Sequence, residues 1–219
     1  MFDTLRAQLV AVFDIGGPVV LLLLAISVLT LAVVLYKLWQ FSVAHVGKHG
    51  ALRSAVAAWD AGDRARAHAE LTRSRSYLAP VVAQAFDAGA HGKDRLQAQA
   101  EERFATLERG FRFLDSVAQL SPLLGLFGTV LGMIEAFQAL QSAGSQVDPS
   151  LLAGGIWVAL LTTAVGLVVA MPTSVVLSWF ESRMDAERVV CDTFILTALS
   201  PKGRAPTAAP DPDMVPAHG

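Results

Sequence analysis

Phe2, Leu5, Leu9 and Val12 fall three or four residues apart with Asp3, Arg6 and Gln8 between them, a pattern that predicts a short amphipathic helix over 1–17 lying along a membrane surface. Asp14, Gly16 and Gly17 interrupt it, and Pro18 suits the first turn of a new helix. From Val19 to Tyr36 no residue is charged and most are Leu, Val, Ile or Ala, close to the ~20 residues a hydrocarbon core requires. That run exceeds the ~7 to 15 apolar residues of a secretory leader and lacks a basic segment just before it, so 18–41 reads as a first span. Tyr36, Lys37 and Trp39 form an aromatic and cationic collar at its end. Bulky aliphatic residues surround this helix, which predicts that it faces lipid.

The pattern then turns polar. Residues 42–115 carry Lys48, Arg53, Arg64, Arg66, Arg73, Arg75, Lys93, Arg95, Arg103, Arg109 and Arg112, whereas 138–150 holds no Lys or Arg. By that asymmetry 42–115 is expected to be a cytoplasmic helical region and 138–150 a periplasmic connection, with the N-terminus outside and the C-terminus inside. AWDAGDRARAHAEL predicts helix, turn at Gly62 and helix; Pro80 opens a further helix that Gly89 and Gly92 close. From Asp94 on, Leu96, Ala100, Phe104, Leu107, Phe111 and Leu114 form a seam with no evident breaker, and a helix unbroken to Phe137 would run ~65 Å.

Two more apolar blocks follow, a second span over 116–137 and a third over 151–180, with a helical extension over 181–200 and a Pro-rich tail over 201–219 expected to be disordered. They read SPLLGLFGTVLGMIEAF and GGIWVALLTTAVGLVVAMP. Gly125, Gly128 or Thr129, Gly132 and Ala136 make a small-residue stripe in the first; Gly155, Ala159, Thr163, Gly166 and Ala170 make another in the second. Close helix packing accounts for such stripes, and a membrane threonine such as Thr129, Thr162 or Thr163 can return its hydroxyl to its own helix. A polar lumen accounts for them too, since Pro122 and Pro172 each remove a backbone donor beside those hydroxyls. Glu135 is the only ionisable residue of these two spans and falls near a helix end, so a proton path here needs a carboxylate from a partner.

Composition narrows the class. The 219 residues are 53% hydrophobic and 16% charged, which marks an integral membrane protein. A net charge of -2 offers no concentrated basic face for nucleic acid. Cys191 is the single cysteine and allows no internal disulfide, and the five histidines (His45, His49, His68, His91, His218) lie outside the spans and show no metal-ligand spacing. There is no phosphate-binding loop, nucleophile triad or dinucleotide fingerprint, so neither an enzyme nor a cofactor is expected.

SPLLGLFGTVLGMIEAF and GGIWVALLTTAVGLVVAMP resemble the second and third spans of the MotA/TolQ/ExbB proton-channel family, most closely its ExbB and TolQ branch. The resemblance implies an all-α integral membrane protein: a homopentameric ring of three-span subunits in the bacterial inner membrane, with the second and third helices around a central pore. It further implies that the pore holds the single-span helices of an ExbD-like or TolR-like dimer, whose aspartate carries the proton, with a TonB-like protein as further partner. Thr129 and Thr163 match the family's pore-lining threonines, with Thr162 beside them, and Gly125, Gly128, Gly132, Gly166, Pro122 and Pro172 match its packing and kink positions. Many relatives carry a glutamate where this chain has Val158; Glu135 is a possible accessory carboxylate. The implied role is coupling the proton motive force to TonB-dependent uptake, with Tol-Pal envelope maintenance or a non-conducting scaffold as alternatives. The flagellar MotA branch, with four spans, fits less well.

Overall fold

A computed structural model describes residues 2–88, 92–142 and 149–203. Every regular element among them is helical: α1 (Phe2–Val43), α2 (Gly50–Asp60), α3 (Arg64–Arg73), α4 (Ala79–Ala88), α5 (Lys93–Glu108), α6 (Phe111–Ser142) and α7 (Pro149–Leu199). Gly89, His91, His218, residues 143–148 of the 138–150 connection and the tail beyond Gly203 lie outside the described residues. Three helical stretches are long and apolar enough to cross a membrane, Gly16–Val43, Phe111–Ser142 and Leu152–Leu199. The chain divides into two compact units, one of Met1–Trp39 with Glu108–Arg183, the other of Gln40–Leu107 with the chain from Met184 onward.

The first unit holds the apolar part of α1, all of α6 and most of α7. Gly17 breaks the regularity of α1 with φ 66 and ψ -171, a left-handed backbone that a residue without Cβ adopts without strain, and Pro18 restarts the helix. The apolar stretch is not lipid-facing on every side. Leu23 is fully buried and Val19, Val20 and Thr30 nearly so, while Leu22, Leu24, Val28 and Leu29 stay exposed. The collar also differs from the sequence expectation. Tyr36 and Trp39 are exposed, but Lys37 is buried, its Nζ 5.7 Å from the ring centre of Phe111 and 5.9 Å from that of Tyr36. A long cationic side chain hides its methylenes and finds aromatic faces for its charge.

The expected unbroken helix from Asp94 to Phe137 does not form. α5 stops at Glu108 and α6 begins at Phe111, because Gly110 takes φ 95 between them. A Cβ on Gly110 would meet Lys37 Cε at 3.4 Å and Val33 Cγ1 at 3.7 Å, ordinary contact distances, so the positive φ is what favours glycine there. The helices run on through Pro122 in α6 and Pro172 in α7. At ~1.5 Å per residue the 51 residues of α7 span ~76 Å, well over twice a ~30 Å hydrocarbon core.

The second unit packs α2, α3, α4 and α5 with the end of α7. Gly62 turns the chain at φ 87 between α2 and α3, and Asp63 caps α3 by accepting from the Arg66 N–H at 3.0 Å. Trp59 stacks on Phe86 with centroids 4.0 Å apart, carries the Arg64 guanidinium 3.4 Å from its ring centre, and donates its indole N–H to the Ala198 carbonyl at 2.9 Å. An aromatic core with a polar handle thereby ties the end of α7 to α2.

Candidate functional site: the α6–α7 hairpin

The small residues of α6 and α7 meet along one antiparallel seam in the first unit. Gly125, Gly128, Gly132 and Ala136 are all buried, and their partners on α7 run in reverse order. A Cβ built on Gly166 would lie 2.5 Å from the Ser121 carbonyl oxygen, and one on Gly125 2.9 Å from the Thr162 carbonyl oxygen and 3.0 Å from Thr163 Cα. A Cβ on Gly128 would stand 2.7 Å from Thr162 Oγ1, and one on Gly132 3.3 Å from Ala159 Cβ. Gly155 closes the row against Ala136. Glycines are needed at these positions because backbone or a β-branched side chain already occupies the space.

The threonines divide by role. Thr162 and Thr163 both border the seam, Thr163 with its Cα against Gly125 and Thr162 with its side chain: Thr162 is 2% exposed, and its Oγ1 lies 2.7 Å from the Ala159 carbonyl and 3.2 Å from the Gly125 carbonyl. Thr129 is partly exposed and donates to the Leu126 carbonyl at 2.6 Å. Thr163 Oγ1 is buried without a hydrogen-bond partner among the described residues, and Ser121 Oγ shares that condition. Glu135 is exposed on α6, and Val158 is partly exposed one residue before buried Ala159. Pro122 is partly exposed and Pro172 exposed. The hairpin thus offers an uncharged wall bearing several hydroxyls.

A second polar constellation, in the other unit, escaped the sequence. His49, 4% exposed, places Nε2 2.7 Å from Glu187 Oε2 and Nδ1 2.9 Å from Ser76 Oγ, and the Tyr77 hydroxyl donates to Glu187 at 2.9 Å. These residues come from three separate stretches, with 138 positions between His49 and Glu187, and no local spacing announces them. Buried polar groups paired in this way specify how the end of α7 docks within its unit. No cluster of three or more metal-ligating side chains occurs among the described residues.

An all-helical chain with three apolar helices of spanning length, two of them joined by a glycine and threonine seam, defines a helical membrane protein with a closely packed pair of spans. Residues 69–192 match the model of the MotA/TolQ/ExbB proton channel family, and the chain belongs to that family. It is 33% identical over 178 residues to the ExbB-like 1 protein of Synechocystis, covering 78% of this chain and 70% of that protein. It is 32% identical over 155 residues to biopolymer transport protein exbB1 of Vibrio cholerae, covering 67% of each. Over a shorter stretch of 81 residues, 37% of this chain and 35% of the relative, it is 42% identical to the Tol-Pal system protein TolQ of Haemophilus influenzae.

Proposed function

We propose that this chain is the ring-forming subunit of an inner-membrane proton-driven motor, ExbB-like in role, whose α6–α7 hairpins surround the path of the proton. The observation that carries the reading is the chemistry of the hairpin wall: hydroxyls at Thr129, Thr162 and Thr163, and in the arms 116–137 and 151–180 no ionisable residue but Glu135. Such a wall cannot hold a proton by itself at membrane depth, where a carboxylate or histidine is the usual carrier. It suits a carboxylate on a single-span partner of the ExbD or TolR kind, seated inside a pentamer of this chain. Each proton crossing ~100 mV releases ~2.3 kcal/mol. Neutralising the partner's carboxylate removes its penalty for facing apolar wall, and the inner helices then step relative to the ring. In this reading the N-terminus is periplasmic, 42–115 and the C-terminus are cytoplasmic, and a TonB-like protein delivers the work to outer-membrane uptake.

The test is proton flux in liposomes holding the chain and its single-span partner. Thr129→Val and Thr163→Val are expected to assemble normally and to lose flux by about one to two orders of magnitude, as for loss of a group that shapes a proton transfer. Full flux in both variants rejects the lumen, and a wild-type complex without flux points to a scaffold. The likeness to TolQ supports a second reading, service in envelope maintenance, and the identity of the co-purifying single-span protein separates the two.

A further inference from the structure

At one end of the first unit the three membrane helices bring aromatic rings to a common level. The Lys37 ammonium of α1 lies 5.7 Å from the ring centre of Phe111 at the start of α6, and Phe111 stacks on Phe180 of α7 with centroids 5.6 Å apart. Tyr36, Trp39 and Trp179 flank these contacts and are exposed. Exposed Tyr and Trp near the end of a spanning helix sit among lipid headgroups, so the rings mark a headgroup level.

Arg109 and Arg112 belong to that level. They stand on either side of Gly110 and Phe111 in the chain, and Gly110 borders the Lys37 side chain. Both arginines are exposed, and neither guanidinium makes an ion pair or hydrogen bond among the described residues. Asp115, the first carboxylate of α6, accepts instead from Gln119 at 2.6 Å. The charge of Arg109 acts on Lys37, and it has the same sign. Two exposed guanidiniums beside a third cation raise the local potential and draw an anion.

We propose that Arg109 and Arg112 bind the phosphate of an anionic phospholipid at this end of the membrane helices, with Lys37 adding its charge from beneath. A guanidinium presents its N–H donors in a planar fork that meets phosphate oxygens in two parallel bonds. The membrane supplies phosphates at the level of the rings. Leu35 and Phe113, each one residue deeper in its helix than Tyr36 and Arg112, offer exposed apolar surface to the acyl chains of the same lipid, from which a free anion would gain nothing. The inference does not depend on a proton path.

Native mass spectrometry of the full chain in detergent, with phosphatidylglycerol or phosphatidylcholine added, tests this on wild type, Arg109→Gln, Arg112→Gln, Arg109→Lys and Arg66→Gln. Arg66 is an exposed cation of α3 in the other unit. Wild type is expected to retain phosphatidylglycerol in preference to phosphatidylcholine. Each glutamine substitution at Arg109 or Arg112 weakens that preference about fivefold, the scale of one basic residue at an anionic surface, while Arg109→Lys and Arg66→Gln stay within about twofold of wild type. Equal retention of both lipids by wild type overturns the proposal. So does a loss in Arg66→Gln equal to that in the other two, which marks a diffuse charge effect. Displacement of the lipid by millimolar inorganic phosphate identifies a free-anion site and overturns the lipid assignment. Should the glutamine variants fail to fold, a map of wild type in phosphatidylglycerol nanodiscs decides: a headgroup phosphate within hydrogen-bond reach of either guanidinium supports the proposal, and headgroups placed only elsewhere overturn it.

Discussion

Gly128 shows how much a single side chain governs in the hairpin. A methyl there would stand 2.7 to 2.9 Å from three atoms of the Thr162 side chain, whose β-branched rotamer has little freedom in a helix. Gly128→Ala is therefore expected to cost about 1–3 kcal/mol of overpacking and to lower the thermal midpoint in detergent. Adding Thr162→Ala should recover much of that loss. Gly154→Ala should change little, since nothing lies within 4 Å of a Cβ placed there; equal loss in both single variants would contradict the seam. The stripe was legible from residue type and spacing; that Thr162 packs its side chain against Gly128 was not. Thr162 and Thr163 are adjacent, 100° apart on the helix, and only the facing glycines distinguish them. His49 makes the same point more sharply: nothing near it in the chain marks it as the partner of Glu187.

At the scale of elements, glycines with left-handed backbone set helix ends that periodicity missed. The apolar seam from Leu96 to Leu114 keeps helical spacing across Gly110, so pattern alone joined α5 to α6. A single residue at φ 95 separates them, and Gly is the only residue that takes this conformation without strain. Gly110→Ala is expected to cost about 1–2 kcal/mol from the left-handed backbone. Thermal unfolding compared with Gly50→Ala, a position with open surroundings, checks it. A midpoint unchanged by Gly110→Ala would show that the two helices can merge. The first break, at Gly17 and Pro18, was legible because Asp14, Gly16, Gly17 and Pro18 interrupt the pattern together.

For the whole molecule, charge asymmetry carries the proposed topology, and side-specific labelling tests it. Lys48→Cys and Gln138→Cys, both at exposed positions, are expected to react with a membrane-impermeant maleimide from opposite faces, Lys48→Cys from the cytoplasm and Gln138→Cys from outside. Native Cys191 is 1% exposed and should remain silent in the folded protein. Labelling of both from one face would overturn the orientation. The exposed Leu, Val and Phe of α6 and α7, among them Leu123, Leu126, Phe127, Leu160 and Val168, give the ring reading its material, since lipid or another apolar surface must cover them.

What the sequence determined alone was the all-helical class, the apolar spans and membership of the family. These follow from local composition: a run of uncharged residues long enough for a bilayer must satisfy its backbone internally, and a helix does so within one segment. Tertiary structure decided that the Thr162 side chain packs on Gly128, where α5 ends, that Lys37 is buried against Phe111, and that His49 meets Glu187. Each depends on which neighbour occupies the adjoining space, and that neighbour comes from a distant part of the chain. Ser121 and Thr163 belong to the same kind: only packing shows their hydroxyls covered and without a hydrogen-bond partner among the described residues.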